Sequence, residues 1–347
     1  MIKQKHLIPT GYLFTGQYSK GQLETLSIGD YGKHFNVKAD FLGFKDEIKG
    51  VPNTYCMPLS EKWVITVSTQ YGCALSNGGC VFCSVPNIPF RGNATFEDLK
   101  QQMYNAIGLF SDKVKYTERL NLHFARMGDP IFNPDVFRFA EWIYNFKTQI
   151  KNDTGLSIEV IHPVLTTSLP KKLSSLKDRI MEWCYIKNEI YNGQAGTQFS
   201  INSTDEKQRE SMFRGNQLSL EDFSKIAEEM PEPISRKYCL NFAYCTDYII
   251  DADKVATLFD KDKFMIKITP IHNNQECVKN NIKTIGGYDS YTPYRPIEEA
   301  LKNKGFDVLV FVPSMDEEEG LVTCGNLILG GDTLKSNKET VLKIKGL

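Results

Sequence analysis

From residue 62 onward, two kinds of apolar spacing alternate along the chain. KWVITVST (62–69), RLNLHFAR (119–126), SIEVIHPVLTT (157–167) and GTQFSINS (196–203) read as strands. RKYCLNFAYC (236–245), DKFMIKITPI (262–271) and DVLVFVPS (307–314) continue the series. Helical spacing fills the gaps. Thr95, just after Gly92-Asn93, predicts an N-cap for a helix over 96–109, with Asp98 in the capping-box position. DVFRFAEWIYNF (135–146) predicts an amphipathic helix, and further helices fall near 170–190, 218–229 and 252–259. IEEALKNKG (297–305) is a helix with its stop signal at Gly305. Residues 1–60 are rich in Gly and aromatics and read as short strands and turns, and 272–294 as a loop rich in Asn, Gly and Tyr.

Strands alternating with helices predict an α/β fold whose parallel strands are joined by crossover helices. A barrel or partial barrel and a doubly wound open sheet both satisfy that pattern. In either, function belongs at the C-terminal ends of the strands. A length of 347 residues accommodates one large domain or two ordinary ones. With 41% hydrophobic and 24% charged residues, the chain has the composition of a folded protein. Its 41 Lys+Arg against 42 Asp+Glu exclude a global basic field for non-specific nucleic-acid binding, leaving only a local groove. No run of about 18 apolar residues predicts a membrane helix. The start, MIKQKHLIPTGYLFTG, lacks an apolar secretion core. The expectation is a cytoplasmic protein without a membrane partner.

Nine cysteines change the picture: Cys56, Cys73, Cys80, Cys83, Cys184, Cys239, Cys245, Cys277 and Cys324. An odd number in a reducing compartment argues against a disulfide framework. Cys73, Cys80 and Cys83 share one Gly-rich loop, YGCALSNGGCVFC, right after the first strong strand, with spacing C-x6-C-x2-C. Three thiolates on one loop suit a soft metal or an iron–sulfur cluster. Structural zinc takes four ligands, usually as two pairs, and the chain has no second C-x2-C and no H-x3-H. A [4Fe–4S] cluster on three thiolates keeps one iron open to a ligand. The reading from another class is a non-catalytic zinc- or nucleic-acid-binding protein.

The cysteine loop after the first strand, with Phe82 just before its last cysteine, resembles that of the radical S-adenosylmethionine (SAM) superfamily, whose usual spacing is C-x3-C-x2-C. The wider context is similar to the RlmN/Cfr methyltransferases. VSTQYGCAL (67–75) with GGCVFC resembles their V-S-S-Q-x-G-C-A-L…C-x-F-C segment. ARMGDPIFN (125–133), VLTTSLP (164–170), FSINSTDEKQRESMF (199–213) and GFDVLVFVPSMDEEEGLVTCGNL (305–327) follow in the family's order. The resemblance covers about residues 62–330. It implies a partial (β/α)6-type radical SAM barrel over 61–315, a short β-rich extension over 1–60, and a C-terminal segment, 316–347, over the barrel mouth.

The same resemblance implies a [4Fe–4S] cluster on Cys73, Cys80 and Cys83, and SAM as cofactor beside Phe82. Gly128, Asp129 and Pro130 would shape the strand-end turn, with the Asp129 carboxylate on the SAM ammonium. Ser168 and Ser200 would reach the SAM carboxylate or ribose; Asn202 stands where the family has His; Asn273 would meet adenine or ribose. Cys324 would carry the methyl group that is passed, as a radical, to an sp2 carbon of a nucleotide or RNA. An electron donor such as flavodoxin or ferredoxin is implied. A non-methylating outcome on a peptide or small molecule is the alternative within the superfamily.

Two departures stand out. The family's second thiol, seven residues before the first cluster cysteine, is Thr66 here, leaving Cys56 and Cys245 as replacements. Residues 1–60 are also too short for the family's helical RNA-binding domain. Arg91, Arg126, Lys171, Lys172, Arg209, Arg214, Tyr291, Tyr294 and Arg295 are the candidates for lining a nucleotide site.

Overall fold

The computed structural model describes residues 1–31, 55–75, 79–272, 274–284, 292–313, 315–323, 325–334 and 340–347. The N-terminal expectation of short strands becomes a meander: β1 (Ile2–Ile8), β2 (Gly11–Tyr18) and β3 (Gly21–Ile28), each antiparallel to the next. β3 then pairs antiparallel with β4 (Lys62–Val67), so the extension joins the main sheet. A two-residue ribbon, β5 (Gln70–Tyr71) with β6 (Gly92–Asn93), closes the base of the cysteine loop.

Six more strands follow β4, every neighbouring pair parallel. They are β7 (Tyr116–Phe124), β8 (Ser157–Thr167), β9 (Gly196–Ser200), β10 (Tyr238–Tyr244), β11 (Phe264–Pro270) and β12 (Val308–Val310). The sheet is thus ten strands wide, with β1 at one edge and β12 at the other.

The crossover helices among the described residues are α1 (Phe96–Gly108), α2 (Pro134–Asn145), α3 (Lys147–Thr154), α4 (Leu176–Tyr185), α5 (Glu206–Met212), α6 (Leu220–Glu229), α7 (Ala252–Leu258), α8 (Gln275–Lys279) and α9 (Arg295–Asn303); α10 (Met315–Glu319) follows the last strand. The α1 capping box is complete: Thr95 Oγ1 accepts from Asp98 N, and Asp98 Oδ2 accepts from Thr95 N. The single helix expected near 170–190 is α4 followed by a π-turn over Ile186–Ile190.

The period-2 alternation gives the sheet two different faces. Leu120, Leu122 and Phe124 of β7 point into the main core, with Met103, Phe139 and Trp183 from the helices. On the opposite face, register aligns Val64, Asn121 and His162, then Thr66, His123 and Val164. Around β3 this inner face is apolar and packs Leu26, Ile28 and Val64 against Leu321 of the C-terminal segment. Towards β7–β11 it is polar. Among the described residues no helix is long and apolar enough to cross a membrane.

Candidate functional site

The cysteine loop leaves the C-terminal end of β4, where a parallel sheet opens its strand ends to ligands. Cys73, Cys80 and Cys83 are half-buried. Cys83 N donates to Cys80 O at 3.1 Å, so these two share one turn. Phe82 packs against Cys245, Ile271 and Cys277, and its carbonyl accepts from Asn274 Nδ2 at 2.8 Å. Asn280 Nδ2 holds the Val81 carbonyl at 2.7 Å. The three thiols lie on one loop but are not converged: no group of three or more His, Cys, Asp or Glu among the described residues is arranged to hold a metal. Their chemistry fits a soft centre, as all three donors are sulfur and no carboxylate or imidazole competes on the loop.

The C-terminal segment lies against this loop. The Gly325 carbonyl accepts from Ser84 N and Ser84 Oγ, both at 2.9 Å. Gly325 has φ +91°, and its Cα lies close enough to Cys83 that a Cβ there would meet it at ordinary contact distance. Arg126, at the end of β7, is buried and ion-paired to the buried Glu24 of β3. Arg126 Nη1 also donates to the Leu321 carbonyl at 2.7 Å, and Glu24 Oε2 accepts from Leu329 N at 3.1 Å. One ion pair therefore joins the meander, the parallel sheet and the C-terminal segment. Cys324 and Asn273 lie outside the described residues.

The second group forms at the ends of β7 and β8. Asp129 is buried, and its Oδ2 accepts from Ser168 N at 2.8 Å, Ser168 Oγ at 2.7 Å and Thr167 Oγ1 at 3.1 Å. Its Oδ1 caps the turn Pro130–Phe132 through Ile131 N at 3.1 Å. Burial pushes its pKa up, while the Ser168, Ile131 and Thr167 donors pull it down. One Oδ1 position is left to an incoming cation. Ser168 is thus committed to Asp129. Gly128 has φ +83°, and a Cβ there would overlap the Gln70 side chain.

Gln70 is the residue that the sequence left as a letter in a motif. It is fully buried, and its Oε1 accepts from Ala74 N at 3.0 Å and Asp129 N at 3.2 Å. It ties the start of the cysteine loop to the Gly128–Pro130 turn. Its position in VSTQYGC was the available signal.

Ser200 and Asn202, at the end of β9, are not hydrogen-bonded to either group. Asn202, at φ +65°, is buried, with Oδ1 accepting from Ala243 N at 2.9 Å, so it braces β9 on β10. Of the two thiols considered for the Thr66 position, Cys245 sits beside Phe82, with its pKa pushed up to about 11 by burial. Cys56 bridges to Ile344 and touches Gly29, at the far end of β4.

Of the nine basic and aromatic candidates, Arg126, Arg209 and Tyr294 are buried and line no surface. Arg126 serves the ion pair above, and Arg209 is buried on the carbonyls of Ile201 and Leu218. Tyr294 is buried, and Tyr291 lies outside the described residues. A cleft of about 550 Å³ opens beside the cysteine loop, lined by Asn274, Lys279, Glu318, Leu321, Asn326 and Asp332 among others.

The fold is similar to the crystal structure of a radical SAM methyltransferase from Sphaerobacter thermophilus, with a TM-score of 0.61 and 14% identity over 94% of this chain and 80% of that one. At that identity the likeness is one of fold. No family model matches the sequence. No curated protein matches it.

Proposed function

We propose that this chain is a radical SAM enzyme that methylates its substrate. The observation that carries the reading is the three-cysteine loop at the C-terminal end of the first parallel strand, in a fold shared with a radical SAM methyltransferase. In this reading the seven parallel strands wall a partial barrel, with 1–60 as extension, 61–315 as core and 316–347 as the segment over its mouth. Cys73, Cys80 and Cys83 would hold a [4Fe–4S] cluster, with SAM beside Phe82. The cluster, when bound, supplies the electron that cleaves SAM.

The chain's own residues orient the cofactor. Gly128 and Pro130 set the turn, Asp129 offers its remaining Oδ1 position to an ammonium, and Ser168, already bonded to that carboxylate, holds it in place. Ser200, Asn202 and Asn273 would line the nucleoside side. Cys324 would carry the transferred carbon to a nucleotide or RNA carbon. Support for that role comes from its flanking residues, since Thr323 and Gly325 contact Arg126 and Ser84. With Thr66 half-buried on the inner face, Cys245 is the thiol nearest the cysteine loop for resolving an adduct. A flavodoxin or ferredoxin would supply electrons, in the cytoplasm.

The test is anaerobic reconstitution with iron and sulfide, followed by a reductant and SAM. The wild type should bind iron and sulfide and release 5′-deoxyadenosine. Cys80→Ala should lose both. Cys324→Ala should still cleave SAM but transfer no carbon. A colourless protein that binds zinc stoichiometrically instead would overturn the reading.

A further inference from the structure

Far from the cysteine loop, the inner face carries a concentration of positive charge that the proposed chemistry does not use. It lies at the N-terminal ends of the parallel strands. Lys62 opens β4, Arg119 is its register partner on β7, and Arg236 just precedes β10. His162 of β8 sits among them, almost fully buried. Arg119 Nη2 lies 3.1 Å from His162 Nδ1, and Arg236 Nη1 lies 3.4 Å from the same atom.

Two guanidinium groups can both face one Nδ1 only if that nitrogen is the unprotonated acceptor. The imidazole is therefore neutral, and burial together with Arg119, Arg236 and Lys62 pushes its pKa down to about 3. A single lone pair cannot satisfy two such donors. Beyond it, Arg119 Nε donates to Asn121 Oδ1 at 3.0 Å and Arg236 Nη1 to the Gln194 carbonyl at 3.4 Å. Each guanidinium has five N–H donors, so most of them meet no protein acceptor. Among the described residues neither Arg119 nor Arg236 forms an ion pair with a carboxylate; Asp30 pairs with Lys62 at 2.8 Å, and the nearby charges of Asp30 and Glu118 offset only part of the burial that disfavours the Arg119 cation. Like charges held together at reduced dielectric repel, and a planar fork of donors is matched by the oxygens of a phosphate.

We propose that Arg119, Arg236 and Lys62, gathered around His162, form a phosphate-binding site apart from the catalytic centre proposed above. The inference goes beyond the enzyme reading above, and the chemical class of the ligand is a phosphate ester. The solvent-exposed Arg236 leaves the site open at the rim of the sheet, so the phosphate of a free nucleotide and that of an RNA strand can both reach it.

The test is calorimetric titration of the full chain, its iron content measured beforehand, with inorganic phosphate, AMP, adenosine and a short RNA oligonucleotide. Phosphate-bearing ligands should bind and adenosine should not. Arg119→Gln and Arg236→Gln should each weaken binding about tenfold or more, while Lys225→Gln, on a distant exposed helix, should not. Tighter binding of AMP than of RNA identifies a nucleotide as the source, and the reverse identifies RNA. As a check that needs no variant, phosphate should slow phenylglyoxal modification of Arg119 and Arg236 in the wild type, read by peptide mass. No phosphate binding, or binding and protection indifferent to both arginines, overturns the proposal. Iron and sulfide content reports the cysteine loop independently, so either reading can fail while the other stands.

Discussion

Gly128 joins two constraints that only a glycine satisfies together. Its φ of +83° lies in the left-handed region, and the space above its Cα is filled by Gln70. Gly128→Ala must distort the turn or expel the Gln70 side chain, which would leave the half-buried Ala74 amide and the buried Asp129 amide without their acceptor. We expect a loss of about 2–4 kcal/mol in urea unfolding, combining backbone strain with an unmade buried hydrogen bond, and faster hydrogen exchange at Ala74. Wild-type stability would show that Gln70 moves freely. The motif made this glycine legible from the sequence, as it did Asp129 and Pro130. The role of Gln70 was not legible, because its partners lie on separate segments that only the folded sheet brings together.

Elements were read correctly where their pattern ran long enough to repeat. The seven parallel strands and α1, α2, α6, α7 and α9 each show apolar periodicity or a capping signal within their own residues. The helices α3, α5, α8 and α10 have five to eight residues, about two turns or fewer, where a 3.6-residue period barely repeats; α7, of seven residues, is as short but begins at the Asp251 N-cap. Across strands, nothing local announces neighbours. Lys62, Arg119, His162 and Arg236 belong to separate sequence blocks, and parallel register alone makes them one site. That register has a measurable consequence on β8. The native pKa of His162, about 3, lies well below the ordinary value near 6.5. Above about pH 6.5 both folded and unfolded states are neutral at this residue. As the pH falls from about 6.5 towards 3, the unfolded chain takes up a proton that the native imidazole refuses, so stability declines. His162→Gln should therefore flatten the fall of the urea midpoint between about pH 6.5 and 4. An unchanged slope would mean that His162 is protonated in the native state. His123, held down to about 3 by burial and by Lys267, Lys62 and Arg236, should leave a residual slope.

At the scale of the whole molecule, the Glu24–Arg126 pair is one of the contacts that hold the C-terminal segment over the cysteine loop, beside the Ser84 bonds to the Gly325 carbonyl. The two side chains come from the meander and the parallel sheet, and both are almost fully buried. Desolvating two charges is costly, so the pair adds little net stability compared with apolar residues of similar volume. Its contribution is to position: Arg126 holds the Leu321 carbonyl and Glu24 the Leu329 amide, on either side of residue 324. Glu24→Gln leaves a buried guanidinium without its counter-charge and should cost about 3–5 kcal/mol. The double variant Glu24→Leu/Arg126→Met removes both charges and should recover most of that stability. It also removes both hydrogen bonds to the segment, whereas Glu24→Gln keeps Arg126 on the Leu321 carbonyl, so amide exchange over 321–329 should be fastest in the double variant, while the core of β7 slows again there. Stability and segment order would then separate. Slow exchange at 321–329 in the double variant would show that the apolar contacts of Leu321 with Ile8, Leu26 and Ile28 hold the segment without the ion pair.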